Sequence, residues 1–256
     1  MSRAILYMIP TYLDEQNDGS CIAPMVKSVV KNTRYYLVEN IRTARRYISS
    51  LKLGIDISEL HFELLDKNTT ADSIRQKTRP LLEGHDMGVI SEAGLPGIAD
   101  PGKVAASFAH AQGIRVVPLP GPSSIIQALI ASGFNGQSFS FHGYLPIDPK
   151  KRQDSIRKMQ QSLERSGATQ IFMETPYRNN KLLSDLLKIL PGAAHLCIAA
   201  GISSDAELIC SQRIEDWKKN KPELHKIPAI FCIGRSWQSN PPILVIDFFV
   251  FPWNLK

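Results

Sequence analysis

Residues 87–102 read MGVISEAGLPGIADPG, an apolar run that empties into a loop of glycines and prolines. Met87, Gly88, Val89 and Ile90 have the length and branching of a buried strand. Gly94, Gly97 and Gly102 then strip side chains from the backbone where a bound molecule would have to lie close. Asp100-Pro101 reads as an N-cap and first-turn pair, which predicts a helix running to Gln112 with Gly113 past its end. The pattern repeats at once. Ile114–Val117 reads as a second buried strand, PLPGP at Pro118–Pro122 as a rigid turn, and Ser123 or Ser124 as the cap of a helix Ile125–Ser132 closed by Gly133. Two strand-loop-helix units in series imply a parallel sheet, with both loops opening on the edge where such sheets bind ligands. Either loop alone is equally well an ordinary turn; together they favour a site.

The same alternation extends towards the amino terminus. Ala4–Ile9 is expected to be a first strand, since Met1–Pro10 carries too short an apolar run for a signal peptide. A polar loop, Tyr12–Ser20, leads to a helix with Ile22, Met25, Val26, Val29 and Val30 at helical spacing. Tyr35–Val38 reads as a strand ending at Glu39-Asn40, Ile41–Leu53 as a helix bearing Arg42, Arg45 and Arg46, Leu60–Leu65 as a strand and Ala71–Glu83 as a helix. The arginine group is either a solvated helix face or an anion-binding one. Past the proline-rich turn the pattern changes. Strands are expected at Ser138–Phe141, Gln170–Met173, Leu196–Ala199, Glu207–Cys210 and Ala229–Ile233, with helices at Lys150–Ser166 and Asn179–Leu190. The fold class is therefore α/β, with a mostly parallel sheet in a first domain, residues 1–118, and a mixed sheet in a second, 119–240. Residues 241–256 form an apolar tail; its ILVIDFFVF run, Ile243–Phe251, is far below the roughly 20 residues of a membrane span and reads as a last strand or a docking segment.

With 256 residues, 43% of them hydrophobic, the chain can bury a large core. Its 30 basic against 24 acidic residues give a net charge of +6, which suits an anionic partner without demanding one. Cys21, Cys197, Cys210 and Cys232 are far apart with no C-x-x-C, as expected of reduced thiols in a cytoplasmic protein. No two histidines stand at ligand spacing, so no metal is expected. Nor is there a G-x-G-x-x-G fingerprint, a phosphate-binding G-x-x-x-x-G-K-[ST] loop, a G-x-S-x-G elbow or an H-E-x-x-H helix.

SEAGLPGIADPG, PLPGPSS, FHGYLP and FMETPYR, in that order, resemble the series that marks ribosomal RNA small subunit methyltransferase I, a branch of the S-adenosylmethionine-dependent tetrapyrrole methylases. The resemblance runs from about Ala4 to Gly234. It implies two α/β domains with S-adenosylmethionine in the cleft between them, a homodimer, and methylation of a ribose 2′-hydroxyl in small-subunit ribosomal RNA. The alternatives are another acceptor, such as a tetrapyrrole, or a cofactor-binding relative without catalysis. It further implies that Glu92, Ala93, Gly94, Leu95 and Pro96 line the cofactor from the first domain. Ser123 and Ser124 would meet it at the joint, and Met173, Ala200, Ile202, Pro228 and Ala229 from the second domain. A ribose hydroxyl needs its proton drawn away. The resemblance retains Glu39, Arg42, Glu174 and Arg178 for that work, although glutamates near arginines serve equally as plain ion pairs. It also implies that Arg45, Arg46, Lys150, Lys151 and Arg152 contact RNA phosphates.

Departures from that series gather on the acceptor side. IPTYLDEQND stands where T-P-I-G-N-L-x-D is expected, so Tyr12 and Leu13 replace a flexible Gly-Asn pair and would reshape the acceptor pocket. VENIR replaces A-E-D-T-R, and AAGISSDAE replaces the late A-R-E-L-T-K segment.

Overall fold

The computed structural model describes residues 4–14, 19–66 and 68–236. The expected tail, and residues 15–18 of the first polar loop, lie outside them. The first half alternates strands β1 (Ile5–Ile9), β2 (Tyr35–Val38), β3 (His61–Leu64), β4 (Met87–Ile90) and β5 (Arg115–Pro118) with helices α1 (Pro24–Asn32), α2 (Ile41–Ser50), α3 (Ala71–Lys77), α4 (Arg79–Leu82) and α5 (Gly102–Ala111). All its strands are parallel, in the order β3-β2-β4-β1-β5. Alternate strand residues feed two cores. Ile9, Tyr36, Val38 and Ile90 meet Val26, Val30, Ala44, Tyr47 and Ile48 of α1 and α2 on one face. Leu6, Met8, Leu37, Met87 and Val89 meet Ile74, Ala105 and Ala109 of α3 and α5 on the other. Near-continuous apolar strands are what burial on both faces requires.

The second half comprises α6 (Ser124–Ser132), β6 (Phe139–Tyr144), α7 (Pro149–Ser166), β7 (Thr169–Glu174), α8 (Asn179–Ile189), β8 (His195–Ala200), β9 (Leu208–Arg213), α9 (Ile214–Lys219) and β10 (Ala229–Gly234). Its sheet runs β6-β7-β10-β8-β9, and only the β6–β7 pair is parallel. Helix α6 covers one face through Ile125, Ala128 and Leu129. Helices α7 and α8 cover the other through Ile156, Met159, Leu163, Leu182, Leu183 and Leu186.

Three expectations shift in the first half, and in the second the strands expected to end at Phe141 and Cys210 run on to Tyr144 and Arg213. The helix expected over 41–53 ends at Ser50, because Lys52 turns left-handed at φ 52°. The helix expected over 71–83 is two, since Thr78 donates its hydroxyl to Ile74 O at 2.7 Å and Pro80 brings no amide to continue the ladder. Met25, assigned to a helix core by spacing, is 54% exposed, whereas Ile22 is buried ahead of the helix.

Candidate functional site

Every parallel strand of the first half ends on one edge, so the loops after β1, β2, β4 and β5 meet there. Gly94 sits where three of them touch. It is left-handed at φ 70°, its carbonyl accepts Thr11 N–H at 2.9 Å, and a Cβ there would stand 3.1 Å from Leu13 Cδ2 and 3.2 Å from Pro122 O. Gly121 is tighter still: a Cβ would fall 2.2 Å from Pro10 Cβ. The glycines therefore let loop pack on loop, and the ligand space lies beside them.

Asp100 shapes the β4 loop from within. Its carboxylate accepts Gly97 N–H at 2.8 Å and Gly102 N–H at 2.6 Å. It thus ties the loop to itself, and Pro101 rather than Asp100 occupies the cap position of α5. Burial pushes the Asp100 carboxyl above its usual range, with those amide bonds pulling the other way. Glu39, at the end of β2, accepts Glu92 N–H at 2.9 Å. Burial, with Asp100 and Glu92 close by, raises its carboxyl too, against the opposing pull of that amide bond.

Asn40 explains one departure from the expected series. Its side-chain oxygen caps α2 by accepting Arg42 N–H at 3.0 Å and Thr43 N–H at 3.3 Å, while its amide donates to Glu92 Oε1 at 3.3 Å. An aspartate would cap the helix equally well but set a second negative charge against Glu92.

Opposite this edge, the sheet of the second half presents the ends of β7 and β8 and the start of β10, with Glu174, Ala229 and Ala200 side by side in register. Between the two edges lies a cleft of about 570 Å³. Its walls include Glu39, Ser91, Glu92 and Ala93 from the first half and Ser124, Met173, Glu174, Ile202, Pro228 and Ala229 from the second. Among the described residues, three of the four non-glycine residues with positive φ, Ala99, Ser203 and Lys226, lie in its wall or between wall residues. Backbone conformations of that kind gather where a site holds its shape against local preference.

The model of the tetrapyrrole (corrin/porphyrin) methylases matches residues 41–217, more than half of the chain. The chain belongs to that family. Within it, the chain falls in the branch of ribosomal RNA small subunit methyltransferase I. It is 33% identical to the protein of that name from Halalkalibacterium halodurans over 97% of this chain and 85% of the relative. To the one from Vibrio cholerae it is 33% identical over 80% and 67%, and to the one from Pseudomonas aeruginosa 30% over 93% and 81%. Among solved structures the fold is similar to the methyltransferase CobJ, with a TM-score of 0.60 at 16% identity, covering 92% of this chain and 95% of that one. It is also similar to uroporphyrin III C-methyl transferase from Thermus thermophilus, with a TM-score of 0.54 at 16% identity over 91% and 98%.

In this methylase, the residues expected to line the cofactor divide. Glu92, Ala93, Ser124, Met173, Ile202, Pro228 and Ala229 are cleft wall. Gly94, Leu95 and Pro96 stand behind it; the β4 loop reaches the cleft again at Ile98, Ala99 and Asp100, which sequence reasoning passed over. Ser123 is the N-cap of α6, its hydroxyl accepting Ile126 N–H at 3.5 Å, and Ala200 is buried within the sheet between the wall residues Ala199 and Gly201.

Of the expected catalytic residues, Glu39 and Glu174 reach the cleft. Glu174 is 1% exposed and bound to Arg178 at 2.6 Å, so that pair is an ion pair holding the end of β7. Arg42 lies on the exposed face of α2, and Arg45 is stacked 5.4 Å over Phe62. Arg46 borders a smaller cavity that shares Leu13, Ser91 and Glu92 with the cleft. Leu13 lines the cleft. Tyr12 instead turns into the core, edge-on to Tyr47 at 5.1 Å.

Lys150 and Lys151 are exposed on the first turn of α7, where Asp148 caps the helix and offsets their unfavourable position against its dipole. Arg152 overturns its expected role as a phosphate contact. It is 4% exposed and holds Asp185 through two bonds, 2.7 and 2.9 Å, and the carbonyl of Ile147 at 2.8 Å. Among the described residues no metal-binding cluster is present and no helix is long and apolar enough to cross a membrane.

Proposed function

We propose that the protein transfers a methyl group from S-adenosylmethionine to a ribose 2′-hydroxyl of small-subunit ribosomal RNA. The observation that carries this reading is the meeting of the Glu92-Ala93 loop and the Ser124 turn with the Met173, Ile202 and Pro228-Ala229 segments around one cleft. A volume of about 570 Å³ suits a nucleoside of that size. Its wall also offers what that molecule's parts need: apolar contact from Ile125, Met173, Ile202 and Ile230, a hydroxyl from Ser124, and a carboxylate from Glu92. The names of the relatives support the RNA acceptor.

When bound, S-adenosylmethionine supplies a methyl group on a sulfonium, which departs as a neutral thioether. The protein's work is then to hold the acceptor oxygen in line and to take its proton. Glu39 is the group assigned to that proton. One of its oxygens is committed to Glu92 N–H while the other is not, and its raised pKa brings it closer to neutral than an ordinary carboxylate. Arg42, Arg46, Lys150 and Lys151 are assigned to RNA phosphates. Residues 1–118 and 119–240 are taken as the two domains that flank the cleft. A homodimer working in the cytoplasm belongs to the same reading, and light scattering of the purified chain tests the dimer.

The decisive experiment supplies labelled S-adenosylmethionine with small ribosomal subunits and with the naked RNA, then maps sites resistant to alkaline cleavage. Label in RNA at one such position is expected with the wild type and not with Glu39→Gln. An absence of label in either RNA form at saturating cofactor overturns the assignment.

A further inference from the structure

Two tyrosines of the second half stand in solvent beside the cleft. Tyr144, the last residue of β6, is 56% exposed and lines the cleft, and its register partner on β7 is the wall residue Met173. Tyr177 is 70% exposed and follows the wall residue Pro176. Its ring meets His225 edge-on, with centroids 6.0 Å apart and planes at 73°. The next residue, Lys226, lines the cleft with its backbone left-handed at φ 63°, held there by a bond from its amide to Pro176 O at 3.1 Å. Three separate segments thus bring two tyrosine rings and a cation to one lip of the cleft.

Core packing explains neither ring. Among the described residues neither phenol hydroxyl has a hydrogen-bond partner in the protein, so neither tyrosine is there as a structural donor. Six and seven residues past Tyr144, Lys150 and Lys151 stand exposed on the first turn of α7 and add positive charge there. Exposed aromatic faces next to cations are the chemistry that recognises unpaired nucleotides: bases stack on the rings, and the ammonium groups meet the phosphates. Cations flanking the rings favour a polyanion over a second protein surface, since protein interfaces are depleted in lysine. A paired duplex presents no open base faces to the rings.

We infer that this lip, built on Tyr144, Tyr177 and Lys226, is a stacking platform for unpaired bases of the RNA strand that carries the acceptor ribose into the cleft. The inference rests on the RNA-methylation reading and adds to it the strandedness of the substrate and the residues that receive it. The platform belongs to the second half, so the strand would be held on one side of the cleft while Glu39 and Glu92 work from the other.

The test measures binding of a fluorescein-labelled, mixed-sequence single-stranded RNA oligomer by anisotropy, alongside the same oligomer annealed to its complement. The wild type should prefer the single strand. Tyr177→Ala and Tyr144→Ala should each weaken that binding about tenfold without altering its dependence on salt, because stacking releases no counterions. Tyr177→Phe and Tyr144→Phe should bind as the wild type does, since the face is kept. Lys226→Ala should lower the salt slope by about one. Melting curves check that the variants are folded; Tyr177, being the more exposed, is the safer site. The platform is overturned if the alanine variants bind like the wild type, if phenylalanine fails as badly as alanine, or if the alanine variants change the oligomeric state. Failure of the wild type to methylate ribosomal RNA removes the functional reading and the platform with it. A wild type that methylates that RNA yet binds duplex as well as single strand removes the platform alone.

Discussion

The first half meets the cleft with loops that pack on one another, and the second meets it with the ends of strands. In the parallel sheet every strand runs towards the cleft, so the loops after β1, β4 and β5 converge and pack on each other through Gly94 and Gly121. In the mixed sheet, strands run both ways, and the cleft edge is made of the ends of β6, β7 and β8 alternating with the starts of β10 and β9. Such an edge has fewer loops to bring together. It offers Tyr144, Met173 and Ile202 instead. The contrast teaches where each half is vulnerable: the first to anything that spreads its loops, the second to loss of individual side chains.

The largest effect expected is on the second half alone. Arg152→Ala leaves Asp185, in a site where both side chains are nearly fully buried at 5% and 6% exposure, with only the longer contact to Lys181 Nζ at 3.6 Å, and should lower stability by about 3 kcal/mol in urea unfolding. The neighbouring Lys151→Ala, on the exposed face, should stay within about 0.5 kcal/mol. Equal stability of the two variants would return Arg152 to the surface role its place in a basic run suggests.

A matched pair of glycines then separates loop convergence from plain packing. Gly121→Ala drives its new Cβ into the rigid ring of Pro10, at 2.2 and 2.4 Å from Cβ and Cγ. Gly234→Ala drives one into Phe134, at 2.2 Å from Cγ, beside His195 at the other end of the sheet from the cleft. Both should cost about 1–3 kcal/mol. Only Gly121→Ala should also weaken S-adenosylmethionine binding, because Pro10 leads directly to Thr11, which is bonded to Gly94. Calorimetric titration of both variants decides; equal losses of affinity would mean that the loops are not what shapes the cleft.

Much of the first half was legible because buried parallel strands are short, branched and uninterrupted, and Tyr35–Val38 and Met87–Ile90 fall where the sequence places them. Helix ends were less legible, since they turn on single groups: the left-handed Lys52, and the Thr78 hydroxyl working with Pro80. Arg152 was lost in a charge run, although the signal was present. Positions 152, 156, 159 and 163 follow helical spacing, and all four are buried on one stripe of α7. Asp100 shows the opposite difficulty, a residue whose spacing suits a cap but whose carboxylate turns back to Gly97. Tyr144 and Tyr177 stand in the quoted FHGYLP and FMETPYR stretches, but their meeting with Lys226 had no such signal, because the three segments are brought together only by the folded sheet. That is the general limit here: periodicity reports which face of an element is buried, and a site made of strand ends depends on which ends become neighbours.

The smallest effect compares two glutamates, one from each side of the cleft. Glu174 is held by Arg178, so Glu174→Gln removes a charged partner and should destabilise the protein by about 1–3 kcal/mol. Among the described residues Glu39 has no such cation, and burial together with Asp100 and Glu92 raises its pKa above the unfolded value. The folded state therefore binds that proton more tightly than the unfolded chain does. The stability this contributes is complete below the unfolded pKa and is lost as pH rises through the folded one, so at neutral pH an ionised Glu39 weighs against folding. Glutamine is neutral and keeps an oxygen for Glu92 N–H. Glu39→Gln should consequently melt above the wild type at pH 7, with the difference closing as the pH falls through the raised value towards the ordinary glutamate range. Opposite signs for the two substitutions at pH 7 would mark Glu39 as a group kept at a cost to stability, as expected of a proton acceptor rather than half of an ion pair. If Glu39→Gln instead melts below the wild type, the carboxylate is a structural tie between β2 and β4, and the assignment of the proton passes to another group.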